Sequence, residues 1–383
     1  MLLELVSTDE ALATDDWRRL YESQVGPANP FCAPLWVTTW YRHFVPDADR
    51  RLCFIRDSGG VLIGVAPLWL DRERFGPVSI ATRLRFVGAG QGTALLELPQ
   101  LLAAPEQGRH VLTLIAGELA RSESALSGVD WTDLVVAEGQ GWLDPSWVVP
   151  RGQALAFWKH QDTQASVVLE LGETWPTTLT RLKRNVKESL RRSRNRLAKL
   201  GKPHEVTRRG RDLDLPAVDR FLDLHRSRAD RGGAARHHDA FAEPWRRRFM
   251  RDLLPRLGEA GEAAIWELWL DGRQVAAQLV LHAPGTLYVH SSGFDPETWE
   301  LGPVTHLQEH AFRAACEAGD RWVNLSPGPN LAKLRWSERL LRHDEFTLGF
   351  GSRGTLARLA VVAGARTLRR LFENARGNDG QGR

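Results

Sequence analysis

A chain of 383 residues with 43% hydrophobic content can bury a large core and is long enough for two or three domains. Its net charge of +4 conceals an asymmetry. Residues 181–211 hold thirteen Lys or Arg against two Glu, a net +11, and the other 352 residues therefore sum to +4 less +11, or −7. The first residues, MLLELVSTDEALATDD, lack the basic-then-apolar order of a signal peptide. No apolar run reaches the roughly 18 residues of a membrane span, and Cys32, Cys53 and Cys316 are odd in number with no metal-ligand spacing. The expectation is a cytoplasmic protein with reduced thiols, no membrane span and no metal; the sequence leaves the oligomeric state open, a monomer being plausible.

In chain order, helices are expected over 16–24 and 34–44, followed by a hairpin, CFIRDSGGVLIGVAPLWL, over 53–70. A strand (82–88), a helix (109–121) and a strand (131–138) complete the first half. The Gly-rich stretch 88–100 reads as a loop. In the second half the same order returns: helices over 215–231 and 243–257, then a hairpin over 265–282 around Asp271-Gly272. A strand (286–294), a helix (303–319) and a strand (321–327) follow. One α/β unit is thus used twice. The loop with Gly232-Gly233 and His237-His238-Asp239 reads as a mobile connection, a candidate lid. Residues 354–376 form an amphipathic basic helix, and the tail after it lacks ordering signals.

Between the halves, Pro176 opens and Gly201 closes a basic helix of about 24 residues, roughly 36 Å long. Leu179, Leu182, Val186, Leu190, Leu197 and Leu200 make one narrow apolar stripe, and cations take most of the remaining surface. Such a strip favours a polyanionic partner, with Lys183, Arg184, Lys187, Arg191, Arg192, Arg194 and Arg196 as its binding residues.

Taken together, these strings resemble the GNAT superfamily in its double-domain form. Two branches are similar: cellulose-associated (BioF2-like) acetyltransferases and Fem-type aminoacyl-tRNA-dependent transferases. The carrying motifs are GVAPLWL with LRFVG, the K-R-N-x-x-x-x-x-R-R string from Lys183 to Gly201, YVHSSGFDPE, AGDRWVNLSPG and NLAKLRW. The resemblance implies an α/β (α+β) fold of two tandem GNAT-like lobes around a central cleft. Its divisions are 1–175, an N-terminal lobe; 176–203, the interdomain helix; 204–352, the C-terminal and catalytic lobe; and 353–383, a basic helix and tail. It also implies transfer of an acyl group to an amine.

One departure bears on the donor. GNAT enzymes that use acyl-CoA open the helix after the fourth strand with glycines that let backbone N–H groups reach a pyrophosphate. Here that stretch is Trp299-Glu300-Leu301-Gly302-Pro303-Val304, where Pro303 removes a donor and Glu300 adds negative charge. The expected co-substrate is therefore a charged tRNA, with acyl-CoA as the alternative and a non-catalytic RNA- or anion-binding module as a further one. No tightly bound cofactor is expected, and the acceptor would be a small-molecule or peptide-like amine.

Within the resemblance, Tyr288 to Ser292 lie on the fourth strand and Asn324 to Ser326 on the fifth. His290 is the candidate general base. Asn324 stands where related sequences often place Asp. Lys333 is the one Lys in the last 181 residues, and with Arg335 it would flank the cleft and hold phosphate or polarise the acyl carbonyl. Tyr288, Ser292, Asp295, Ser326 and Trp336 are candidate substrate contacts, with turn chemistry an equal account of Asp295 and packing of Trp336.

Overall fold

The computed structural model describes residues 1–75, 78–89, 98, 100–119, 121, 124, 126, 128–137, 156–159, 164–229 and 238–349. The first half contains β1 (Leu2–Leu5), α1 (Thr8–Leu12), α2 (Asp16–Glu22), α3 (Pro34–Phe44), β2 (Arg50–Arg56), β3 (Leu62–Phe75), β4 (Val78–Phe86), β5 (Leu102–Ala103), α4 (Gly108–Leu119) and β6 (Trp131–Ala137). Then come β7 (Ala156–Lys159), β8 (Gln164–Glu170), α5 (Trp175–Arg181) and α6 (Arg184–Lys199). The second half contains β9 (His204–Arg209), α7 (Leu215–Ala229), α8 (Pro244–Glu259), β10 (Ala263–Leu270), β11 (Arg273–Ala283), β12 (Thr286–Phe294), α9 (Pro303–Glu317), β13 (Trp322–Pro327), α10 (Leu331–Leu334) and β14 (Leu340–Gly349). The Asp271-Gly272 turn forms as its chemistry demands, with φ of +53° and +74°.

Among the described residues the strands join one mixed sheet in the order β1-β2-β3-β4-β6-β14-β8-β13-β12-β11-β10-β9, with β5 beside β3 and β7 beside β14. The order is symmetrical about β14 and β8. On either side an antiparallel run ends in a short parallel pair, β4 with β6 and β12 with β13. The halves exchange their last strands. β8, from the first half, pairs with β13 of the second, and β14, from the second, pairs with β6 of the first. The two exchanged strands then pair with each other from Leu340↔Val167 to His343↔Gln164.

Three packed cores follow. One lies under α4 (Val111, Leu112, Ile115) and one under α5, α6 and α9 (Val186, Leu190, Leu307, Phe312). The third spans both halves, joining α3 to α7, α8 and β12. In it Trp36 meets Phe249 edge-on at 5.8 Å and Phe31 meets Tyr288 at 5.1 Å, so part of the unusual Trp content is interlobe packing. Gly293 lets α7 rest on β12, for a Cβ there would lie 2.3 Å from the His225 nitrogen and 2.5 Å from the Leu224 carbonyl carbon.

The expected single basic helix is two helices. Leu182 and Lys183 have ψ of 147° and 148°, which breaks the chain between α5 and α6. Leu182 turns into the core at 4% exposure, and that burial outweighs helical continuity. The 16-residue α6 is thus about 24 Å long, not 36. Leu200, assigned to the apolar stripe, is 40% exposed. The C-terminal basic helix and tail, most of the Gly-rich 88–100 stretch and residues 230–237 of the candidate lid lie outside the described residues.

Because Gly293 faces backbone atoms that cannot rotate away, Gly293→Ala should destabilise the fold by about 2–3 kcal/mol. Gly272→Ala, with open space but positive φ, should cost about 1–2 kcal/mol. Urea unfolding measures both, and equal midpoints would show that α7 does not depend on this close approach.

Candidate active site

β12 and β13 run in register only through Thr286↔Trp322, Leu287↔Val323 and Tyr288↔Asn324. Beyond that point each strand is irregular on its other edge. β12 carries an extra residue, His290, opposite the Leu279–Val280 step of β11, and β13 shifts against β8 between Asn324 and Pro327. The two irregularities part the strands. Among the described residues the edge of β12 that faces β13 has no ladder partner past Tyr288, and the strands diverge beside the residues expected to act.

On the β13 side three candidates come together. Asn324, 2% exposed, accepts a hydrogen bond from the Ser326 backbone N–H at 2.9 Å through Oδ1. Ser326 sits at φ +67°, a left-handed conformation that costs a non-glycine residue roughly 1–2 kcal/mol. Lys333, on α10, donates from Nζ to the Ser326 carbonyl (3.3 Å), the Ser326 hydroxyl (3.1 Å) and the Pro327 carbonyl (2.6 Å). The Asn330 side chain caps α10 by accepting from the Lys333 N–H, which fixes where that side chain starts. Among the described residues no carboxylate pairs with the ammonium, and burial pushes it down to about 8.

On the β12 side, His290 is 4% exposed among the rings of Phe31, Trp36, Tyr288 and Phe241. Its Nδ1 lies 2.9 Å from the Ser291 hydroxyl. Arg228, on α7, donates to the Ser292 hydroxyl at 2.7 Å and to its carbonyl at 3.1 Å, and burial lowers the pKa of its guanidinium. The His225 ring accepts from the Ala240 N–H at Nε2, so Nδ1 carries the proton and donates to the Ser292 carbonyl at 3.0 Å. Neither Arg228 nor His225 stands out in the sequence, since both read as ordinary members of an Arg-rich helix.

Other candidates lie apart from this group. Asp295 accepts from the Glu297 N–H, caps the turn over Pro296–Leu301 and pairs with Arg273 at 2.6 Å. Trp336, 3% exposed, packs edge-on against Phe312 at 4.9 Å. Arg335 reaches away from Lys333 and donates to Ser189 on α6 (3.4 Å) and to Thr305 in the first turn of α9 (3.1 Å). Its Nε is buried without a partner, and burial lowers its pKa.

The turn that leads into α9 is held by α6. The Ser193 hydroxyl donates to the Leu301 and Gly302 carbonyls at 3.0 and 2.9 Å, and Arg196 donates to the Glu300 carbonyl. Gly302, at φ +67°, makes the turn into α9, and Pro303 follows without an N–H. The seven basic candidates on this element divide. Lys183 pairs with Glu338 (2.5 Å), Arg184 with Glu188 (2.7 Å) and Arg194 with Glu309 (3.7 Å). Arg196 is held at Glu300, and Lys187 donates to the Thr180 carbonyl at 3.1 Å. Arg191 and Arg192 are exposed and enter no ion pair among the described residues.

Between the halves lies a cavity of about 460 Å³, lined by Gln24, Asn29 and Gln100 of the first half and by Asn324, Leu341 and His343 of the second. The thiols take no part in these groups. Burial pushes Cys32 and Cys53 up to about 12. Among the described residues no cluster of three His, Cys, Asp or Glu is arranged to hold a metal, and no helix is long and apolar enough to cross a membrane.

Residues 184–334 match the family model described as an acetyltransferase (GNAT) domain, a span that takes in α6 and ends at α10. FemX shares the fold at a TM-score of 0.61 and 12% identity, covering 90% of this chain and 97% of its own. A conserved protein of unknown function from Bacteroides thetaiotaomicron aligns at a TM-score of 0.53 and 12% identity, covering 91% and 99%. No curated protein matches the sequence.

Lys333 offers a direct check of the site's electrostatics. Burial disfavours its charged form, so the folded protein holds fewer protons than the unfolded chain between about 8 and the ordinary lysine value near 10.5. Stability should therefore rise with pH across that window, with the burial penalty present in full below it. NMR of protein labelled at its lysine side chains should show one resonance, lost in Lys333→Arg, titrating near 8. A midpoint above 10 would mean the ammonium is solvated.

Proposed function

We propose that this chain, whose residues 184–334 form a GNAT acetyltransferase domain within a FemX-like fold, is an amide-forming N-acyltransferase. It takes an aminoacyl group from a charged tRNA and passes it to a small-molecule or peptide-like amine. The observation that carries the donor assignment is the position of α6. The helix donates to the Glu300, Leu301 and Gly302 carbonyls of the turn that leads into α9, beside the N-terminus where a pyrophosphate would seek backbone N–H groups, while Arg191 and Arg192 are exposed and enter no ion pair among the described residues. Unpaired surface guanidinium groups suit a long phosphate backbone, which supplies affinity without base readout.

In this reading the acceptor amine attacks the carbonyl carbon of the ester that links the aminoacyl group to the tRNA 3′ end. A C–N bond forms, the C–O bond to the tRNA breaks, and the amine proton leaves to yield a free tRNA hydroxyl. The Lys333 ammonium, at the open end of β13, stabilises charge that develops on the acyl oxygen. His290 takes the amine proton, Asn324 orients the acceptor through its amide, and Arg228 fixes the backbone at Ser292. A second reading, acyl transfer from acyl-CoA, is favoured by Arg335, which stands with Thr305 at the first turn of α9 and has a free Nε.

Titrating the protein with bulk tRNA and with CoA over a salt series separates the two. The tRNA reading expects affinity that falls steeply with salt, and Arg191→Ala with Arg192→Ala should flatten the slope by about 1.8, at ~0.9 per phosphate lost. Tight, salt-insensitive CoA binding with no tRNA binding would sink it. For turnover, Lys333→Met should lower kcat by about 100-fold or more, and the wild-type rate should fall as pH rises through about 8, where the ammonium is lost. Pre-steady-state transfer assays read both.

A further inference from the structure

Successive residues of β12 turn their backbone groups to opposite edges of the strand. The Asp295 N–H bonds to the Val275 carbonyl, and the register sets Ala277 of β11 against Gly293. Ser292 therefore directs its carbonyl to the other edge, the one that β13 leaves after Tyr288. Two side chains of α7 meet it there, Arg228 at 3.1 Å and the Nδ1–H of His225 at 3.0 Å. Either donor alone satisfies that carbonyl, so what distinguishes His225 is the other end of its ring.

That end holds the segment that leads into α8. Nε2 accepts from the Ala240 N–H at 3.2 Å, the one acceptor for that group among the described residues. The same segment is tied by the Asp239 carboxylate, which accepts from the Phe241 N–H at 2.9 Å, and by Arg246, which donates to the Ala240 carbonyl at 2.8 Å. The Phe241 ring is thereby set between two imidazoles. It meets His225 edge-on at 4.8 Å and lies within 18° of parallel to His290 at 6.5 Å. His225, Phe241 and His290 are 6%, 0% and 4% exposed, and in so closely packed an interior a shift of one ring is passed to the next. A neutral imidazole suits this place because one rigid ring carries both a donor and an acceptor nitrogen.

We propose that His225 is a positioning residue for His290, holding that ring in place beside the parted strands through Ala240 and Phe241. Its importance for turnover rests on the reading in which His290 takes the amine proton, but the positioning does not. Two amides separate the ends of the imidazole. His225→Asn keeps a donor near the Nδ1 position for Ser292 and gives up Ala240. His225→Gln keeps an acceptor near the Nε2 position for Ala240, while Arg228 retains the Ser292 carbonyl. The test is NMR of the full chain labelled with ¹⁵N-histidine, the His290 resonances being assigned by their loss in His290→Gln. H225N should shift those resonances by more than a linewidth, and H225Q should leave them at their wild-type positions. Unmoved resonances in H225N, or an equal shift in H225Q, would overturn the proposal. If H225N does not fold, Phe241→Leu removes the same contact with His225 intact, and unmoved His290 resonances there would overturn it equally.

Turnover supplies a second readout. Transfer to dialanine from alanyl-tRNA and from acetyl-CoA should show kcat lowered about tenfold or more in H225N, with KM within about twofold of wild type and the rate restored in H225Q. A role in packing alone would lower the thermal midpoint of both variants without that split. Displaced resonances with unchanged kcat would keep the positioning and remove His290 from the transfer reading. A lowered kcat with His290 unmoved would do the reverse. A protein that transfers no acyl group loses the transfer reading, and the resonances still decide the positioning.

Discussion

The pairing of β8 with β14 at the centre of the sheet is the constraint on which the rest depends. Each half ends its antiparallel run with a parallel pair that is in register for only two or three residues. Parallel pairing is slightly weaker per residue, and a pair so short is a weak closure for a sheet edge. The exchanged strands support it. β13 leaves β12 after Asn324 yet stays bonded on its other side to β8, and β8 is bonded in turn to β14. The strands can therefore part at the reacting end without opening the sheet. The same exchange brings His343 to the cavity that Asn324 and Gln100 also line. Without it the cavity would have one wall.

Much of this architecture is legible in the sequence, and what is not has physical reasons. The Asp271-Gly272 hairpin, the helices on either side of the two hairpins and the strand-helix-strand endings follow from local turn chemistry and periodicity. The exchange does not. QASVVLE over β8 reads as a buried strand, but alternation names a face and never a partner. The break at Leu182 is hidden for a related reason. Leu179, Leu182 and Val186 are spaced as one helical stripe, and only tertiary burial of Leu182 decides that the helix stops.

The basic element shows how far a count of charges can mislead. Its +11 over 181–211 is a true property of the sequence, but the partners of several of its cations lie more than one hundred residues away, at Glu300, Glu309 and Glu338. These cations tie α6 to α9 and α10. The pairs to Glu300 and Glu338 are exposed and contribute little to stability, about 0–1 kcal/mol each, whereas Glu309 is 3% exposed. Arg194 and Arg196 hold α6 against α9 and the turn before it. The field available to a partner is then that of the cations without an ion pair among the described residues, Arg191 and Arg192 together with Arg181, Lys187, Lys199, Arg208 and Arg211, and it is narrower than the composition implies. Candidate roles divide the same way. Asn324, Ser326 and Lys333 meet, whereas Asp295 and Arg335 are engaged elsewhere.

Several unfavourable features lie at the end of β13 and on β14, with β8 between them. Ser326 holds a left-handed conformation, Lys333 carries a buried ammonium that faces only carbonyls and a hydroxyl, and His343 has no hydrogen bond. Each disfavours folding by an amount of order 1–3 kcal/mol. Stability alone would favour glycine at 326 and apolar side chains at 333 and 343. Their common location argues for selection on what they do. A strained turn fixes where the ammonium sits, a desolvated cation acts strongly on nearby charge, and His343 lines the interlobe cavity with its ring unpaired. The splay of β12 from β13 supplies the opening in which these three properties can act on the same molecule.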